Sequence, residues 1–187
     1  MNMQDKRVAF MATDGFEEVE LTSPWEALQE EDVTCHLVAP VENKGESIRS
    51  WQHTDWGKDF AVDMPLSQAN PKDYHMLVLP GGVLNPDKLR MEKDAIDFIR
   101  SFFKADKPVA AICHGAQTLI EAKVLKDRVM TSYPSIQTDL KNAGANWHDR
   151  EVVIDRNLIS SRSPRDLEAF NAEVLNKVAE AVPESAE

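Results

Sequence analysis

PVAAICHGA, residues 108–116, is the stretch whose reading decides the fold. Residues 109–112 (VAAI) are an apolar run of strand length, bounded by Pro108 and by a Cys113-His114-Gly115 turn. Helical spacing follows at once, over residues 114–121. A continuously apolar strand that passes straight into a helix is the unit of a parallel sheet covered on both faces. The helix is needed because a parallel partner strand can be reached only by a crossover.

The same unit recurs in both directions. Residues 8–12 (VAFMA), 33–39 (VTCHLVA) and 76–79 (MLVL) read as buried strands. Residues 19–28 have helical spacing, with Pro24 bending or restarting the helix. Residues 47–64 alternate around Asp55-Trp56-Gly57, which suits a hairpin turning there. Residues 87–104 form one amphipathic helix, with Ile96, Ile99, Phe102 and Phe103 on its apolar side and Asp87 as its N-cap. A short helix is expected at 135–142, before Gly144, and a strand pair at 152–154 and 158–160 about Arg156-Asn157. Residues 164–181 close the chain as a helix with a proline at its start. With right-handed crossovers the result is a doubly wound α/β sandwich, expected as one domain over residues 1–187. Ligands bind such sheets outside the carboxyl ends of the strands. That rule selects the loops at 13–20, 80–87 and 113–115.

Composition removes several functions. With 32 Asp and Glu against 21 Lys and Arg, the net charge is −11. Nucleic acid and anionic membrane both need a basic face, so neither is an expected partner. Residues 8–43 hold no lysine or arginine but nine acids, Glu17, Glu18 and Glu20 among them. Apart from those three, this reads as a solvated surface. Two cysteines cannot staple a secreted domain. The first residues carry no secretory pattern and no window approaches the ~18 apolar residues of a membrane helix, so a cytoplasmic protein is expected. The five histidines lack metal-ligand spacing and no GxGxxG or P-loop occurs, so neither metal nor other cofactor is expected. The aromatic segment around Trp51, His53 and Trp56 is expected at an oligomer contact or a pocket rim.

Cys113 falls where a nucleophile elbow would put it, between strand and helix, among Ala110, Ala111, Gly115 and Ala116. A helix N-terminus is expected to lower its pKa. Cys35, inside VTCHLV, reads as a core residue.

AICHG after a strand, Pro80-Gly81-Gly82, Asp14-Gly15-Phe16-Glu17-Glu18-Val19-Glu20 and Thr131-Ser132-Tyr133-Pro134 together resemble the PfpI/ThiJ superfamily. That family comprises intracellular cysteine peptidase-like, deglycase and stress proteins related to class I glutamine amidotransferases. The likeness runs from Val8 to about Val178 and is greatest with the PfpI-like branch. It implies a flavodoxin-like, amidotransferase-like fold. It implies Cys113 as nucleophile, Glu20 as a protonated carboxyl against the sulfur, and His114 as base. A carboxylate from a neighbouring subunit would orient that base; Asp87 stands in its place, where the peptidase pattern has glutamate. Gly81, Gly82 and His114 would supply oxyanion-hole amides. Glu17 and Glu18 are expected in a solvated setting or at the pocket mouth. Arg162 is expected either at the pocket or in a sheet-end salt bridge. The amidotransferase reaction is not expected, because no histidine follows His148. The implied function is a cytoplasmic stress-response enzyme acting on a small carbonyl compound or a peptide, as a homodimer or larger homo-oligomer. The alternative is a non-catalytic redox sensor or chaperone in which the same cysteine is oxidised.

Overall fold

A computed structural model describes residues 3–181. Its strands are β1 (Arg7–Met11), β2 (Phe16–Glu17), β3 (Thr34–Ala39), β4 (Ser47–Gln52), β5 (Asp55–Ala61), β6 (Met64–Pro65), β7 (Met76–Leu79), β8 (Val109–Ile112), β9 (Val129–Met130), β10 (Asn146–Trp147), β11 (Val152–Asp155) and β12 (Leu158–Ser161). Its α-helices are α1 (Glu18–Glu30), α2 (Leu84–Leu89), α3 (Lys93–Lys104), α4 (Gln117–Ala122), α5 (Gln137–Asn142) and α6 (Leu167–Glu180).

Seven strands form the central sheet in the order β11-β12-β8-β7-β1-β3-β6. All neighbours are parallel except the β11–β12 pair. The buried strands send alternate residues to opposite faces, because successive side chains of a strand point opposite ways. Ala9, Met11, Leu77, Leu79, Val109 and Ala111 pack with Phe98, Ile99 and Phe102 of α3. Val8, Phe10, Met76, Val78, Ala110 and Ile112 pack with Leu21 and Leu28 of α1 and Phe170 and Val174 of α6. This is the doubly wound α/β sandwich. The chain leaves β1 toward β3 and later returns to β7 on its other side. The loops after β1, β7 and β8 therefore meet at the carboxyl edge, at the switch point.

Local expectations shift in three places. The β4–β5 hairpin turns at His53-Thr54, with His53 at φ +53, and not at Asp55-Trp56-Gly57, which lie in β5. The helix expected over 87–104 is two helices, parted by an extended Glu92 (φ −86, ψ 107). Its first part begins at Leu84, with Val83 as N-cap, so Asp87 lies inside α2 and caps nothing. Pro86 explains the misreading: the first helical turn needs no N–H donors, so proline is tolerated there and does not mark the boundary. Pro24 sits within an unbroken α1. A small sheet of β2, β4 and β5 lies beside the main one, with β2 parallel to β4.

Candidate active site

Cys113 follows β8 directly, in the left-handed region at φ +61. For a residue with a side chain this costs roughly 1–3 kcal/mol, which the packed strand and turn around it must supply. The bend puts the sulfur at the sheet's carboxyl edge, 6 % exposed, where the N–H groups of Gly82 and His114 donate to it. Gly115 is what lets the turn lie so close to β7. A Cβ there would stand 2.5 Å from the Leu79 carbonyl oxygen.

Glu20 rises from the first turns of α1, fully buried. Its Oε2 accepts the Gly81 N–H at 2.8 Å, while the buried Oε1 has no hydrogen-bond partner among the described residues. Burial pushes its pKa up to about 8, against the Gly81 N–H and a hydrogen bond with the Cys113 thiol, and the nearby Glu17 pushes the same way as burial. Glu20 therefore carries its proton at neutral pH. Burial, then the Glu20 charge, push the Cys113 thiol up, opposed by the Gly82 and His114 amides. The expected lowering of the thiol pKa is thus corrected. A six-residue α4 behind a 3-10 turn does not outweigh desolvation. The Gly81 N–H, expected to serve an oxyanion, is instead taken by Glu20 Oε2.

His114 is 9 % exposed. Its Nδ1 lies 3.2 Å from the Cys113 sulfur and its Nε2 lies 3.0 Å from Ser135 Oγ. Adjacent side chains on a strand would point apart; the left-handed turn puts these two on one side. Burial lowers the imidazole pKa, so the ring is neutral near pH 7 and able to accept the thiol proton. Tyr133 stacks on it, with centroids 4.7 Å apart at 26°, and the Tyr133 N–H donates to the Cys113 carbonyl at 3.2 Å. Ser135 and Tyr133 went unassigned in the sequence. The Thr131-Ser132-Tyr133-Pro134 motif was the signal, since Pro134 opens the turn that carries Ser135.

Glu17 lines the same cleft and is 8 % exposed, so its solvated reading is corrected. Glu18 is buried too. Its carboxylate accepts Ser50 Oγ at 2.6 Å, Gln52 Nε2 at 2.9 Å and the Lys58 N–H at 3.2 Å. Arg162 does not reach the cleft. It donates to Asp166 at 2.8 Å and 2.9 Å and to Asp149 at 2.8 Å, the sheet-end salt bridge. Asp87 is exposed on α2 and does not line the cleft. Cys35 is buried and its thiol is pushed up to about 12. The cleft measures about 630 Å³, with Cys113 and His114 in its wall and Trp51 and Tyr133 lining it too. Among the described residues, no group of three or more His, Cys, Asp or Glu could hold a metal ion.

Gly82 holds this arrangement at φ +78, where an added Cβ would run into the Gly15 carbonyl and stand 2.8 Å from the Glu17 nitrogen. Both are backbone atoms, so relief moves the amide off the sulfur. Gly82→Ala is expected to cost about 2–4 kcal/mol in urea denaturation and to slow iodoacetamide labelling of Cys113. A variant within about 0.5 kcal/mol of wild type would show that the turn is not so constrained.

Residues 6–177 match the sequence model of the DJ-1/PfpI family. "Putative cysteine protease YraA" of Bacillus subtilis is 42 % identical over 171 residues, covering 91 % of this chain and 97 % of that one. "Deglycase PfpI" of Pyrococcus furiosus is 41 % identical over 167 residues, covering 89 % and 96 %. Among solved structures, a two-domain protein of Anabaena variabilis with DJ-1/ThiJ/PfpI-like and ferritin-like domains superposes with a TM-score of 0.87 at 29 % identity. That match covers 93 % of this chain, which spans 48 % of the two-domain protein.

Proposed function

Because this chain belongs to the DJ-1/PfpI family, we propose that it is a cysteine-dependent, hydrolase-like enzyme acting on carbonyl compounds. The observation that carries the reading is the Cys113 sulfur held at φ +61 between two amide donors, 3.2 Å from a buried imidazole and beside a protonated carboxyl. The sulfur adds to the carbonyl carbon as His114 Nδ1 takes the thiol proton. The carbonyl π pair moves to oxygen, where the Gly82 and His114 N–H groups bind it. Ser135 accepts from Nε2 and holds the tautomer that leaves Nδ1 free to accept. Glu20, kept neutral by burial, spares the forming thiolate a second adjacent anion.

The substrate proposed is a small 2-oxoaldehyde, or the adduct it forms on an amine or thiol. The Pyrococcus relative's deglycase name supports this class; the Bacillus relative's name supports a peptide carbonyl instead. A 2-oxoaldehyde such as methylglyoxal would leave as the 2-hydroxy acid. Water is added, the aldehyde carbon is oxidised and the ketone carbon reduced, with no outside electron acceptor. A redox-sensing role would draw on an exposed thiolate. Cys113 is 6 % exposed and has a base, His114 Nδ1, 3.2 Å from its sulfur, which favours turnover.

The proposal includes a cytoplasmic setting and a homodimer or larger homo-oligomer, with neither nucleic acid nor membrane as partner. The charge of −11 supports the last point, and no helix of the described residues is long and apolar enough to cross a membrane. Asp87 enters only across a subunit contact, where it would have to displace Ser135 from His114 Nε2.

Purified protein is to be incubated with methylglyoxal and, separately, with a fluorogenic peptide. Lactate formed above the uncatalysed rate is the expected result. Peptide mapping of the quenched reaction should place the carbonyl adduct on Cys113 and leave Cys35 free. Conversion of neither substrate would overturn the proposal for both classes.

A further inference from the structure

The charge of the cleft is one-sided. Among the described residues its acids are Glu17 and Glu20, and no lysine or arginine lines it. Glu20 is committed to Gly81 and the sulfur. Glu17 is differently placed. Pairing of β2 with β4 sets it opposite Trp51, and its N–H donates to the Gly81 carbonyl at 3.4 Å. It therefore stands beside the turn that faces Cys113, close enough for its charge to act on Glu20.

Its partners are few and long. The His53 N–H lies 3.4 Å from each carboxylate oxygen, and His53 Nδ1 lies 3.4 Å from Oε1. Charge-assisted hydrogen bonds normally close to about 2.7–2.9 Å. The Glu17 side chain is 11 % exposed while that of His53 is 74 % exposed, so the carboxylate is sheltered and its histidine is not. Burial pushes the Glu17 pKa up; a cation in the cleft would draw it back and complete the carboxylate's coordination. Trp51 and Tyr133 line the same space, and aromatic faces also favour cations.

We infer that Glu17, with Trp51 and Tyr133, selects substrate charge: the cleft admits carbonyl compounds that carry a neighbouring ammonium or guanidinium and disfavours those that carry a carboxylate, sulfonate or phosphate. As a statement about substrates this rests on the proposed carbonyl chemistry. As a statement about the cleft it does not, and the test separates the two.

Three methanethiosulfonates with one leaving group serve as probes: 2-(trimethylammonio)ethyl, methyl and 2-sulfonatoethyl. Each thiolate attack forms Cys113–S–S–R and releases methanesulfinate. Rates at Cys113 are read by peptide mass spectrometry and divided by the same reagent's rate with 2-mercaptoethanol. The cationic probe is expected to react about tenfold or more faster than the anionic one, and Glu17→Gln to shrink that ratio about fivefold. Glu31→Gln, at an exposed position, removes the same unit of charge and should leave the ratio alone. His53→Ala, which removes the carboxylate's ring contact without disturbing the core, should widen it. A wild-type ratio near one, or a ratio indifferent to Glu17→Gln, overturns the inference. Charge-ordered labelling without conversion of methylglyoxal or the peptide would sink the enzymatic reading and keep the selection; conversion with charge-blind labelling would do the reverse.

Discussion

Cys113→Ser is expected to lower kcat/KM on methylglyoxal by about a thousandfold or more, with a Tm within about 2 °C of wild type. The asymmetry follows from what the substitution changes. Serine keeps the shape and can keep the bonds. Its hydroxyl can accept from the Gly82 and His114 amides and donate to His114 Nδ1, the three groups now directed at the sulfur. Backbone strain at φ +61 falls on serine and cysteine alike. Chemistry, by contrast, loses its nucleophile. A neutral imidazole can draw a proton from a thiol, yet an alcohol lies several units further from its reach. Glu20 does not compensate, because it supplies a neutral carboxyl and no second base. Cys113→Ala gives the complementary measurement: activity falls equally while the three polar groups lose their partner, so its Tm should fall below that of the serine variant. Should the serine variant keep about a tenth of the activity, the nucleophile lies elsewhere.

The residues that carry this argument differ in how legible they were. Cys113 was readable because its signal is local: an apolar run, then small residues and a turn, within residues 108–116. The layers of the fold were readable for the same reason, since each strand–helix unit carries its own periodicity. What the sequence hid is non-local. Glu18 looks like any helix-opening acid until β4 and β5 arrive with Ser50, Gln52 and Lys58 to bond it. Gly57 drew the hairpin reading to itself, although its use is room. A Cβ there would collide with Ser50 Oγ and Glu18 Oε2, so the glycine serves the buried carboxylate and the turn falls on His53-Thr54. The Gly81 amide was assigned to an oxyanion because both glycines of a Pro-Gly-Gly turn look equivalent in sequence. Only the approach of Glu20 from α1 tells them apart.

That approach leads to the second large effect, the dependence of stability on pH. Glu20 ionises at its ordinary value of 4.5 when unfolded and near about 8 when folded. Between those values the folded chain holds a proton that the unfolded chain has lost. Stability due to this group is fully present below about pH 4.5 and drains away as pH rises, by at most about 1.4 kcal/mol per unit, until about 8. Glu20→Gln removes the titration and keeps the side chain neutral at every pH. Its amide oxygen can still meet the Gly81 N–H, with the NH2 group in the place of the unpartnered Oε1. Wild type and variant should therefore be nearest in stability near pH 5, and the variant should gain on wild type by a few kcal/mol by pH 8. Urea melts at pH 5, 6.5 and 8 measure the difference, and subtraction cancels the titrating groups that do not feel Glu20. A difference that does not change with pH would mean that Glu20 is ionised in the folded protein throughout. The sulfur would then face a full anion, and the neutral-carboxyl account of Cys113 would fall with it. Labelling reports the same proton from the other side. Above about pH 8, where wild-type Glu20 loses its proton, alkylation of Cys113 should climb less steeply with pH in wild type than in Glu20→Gln.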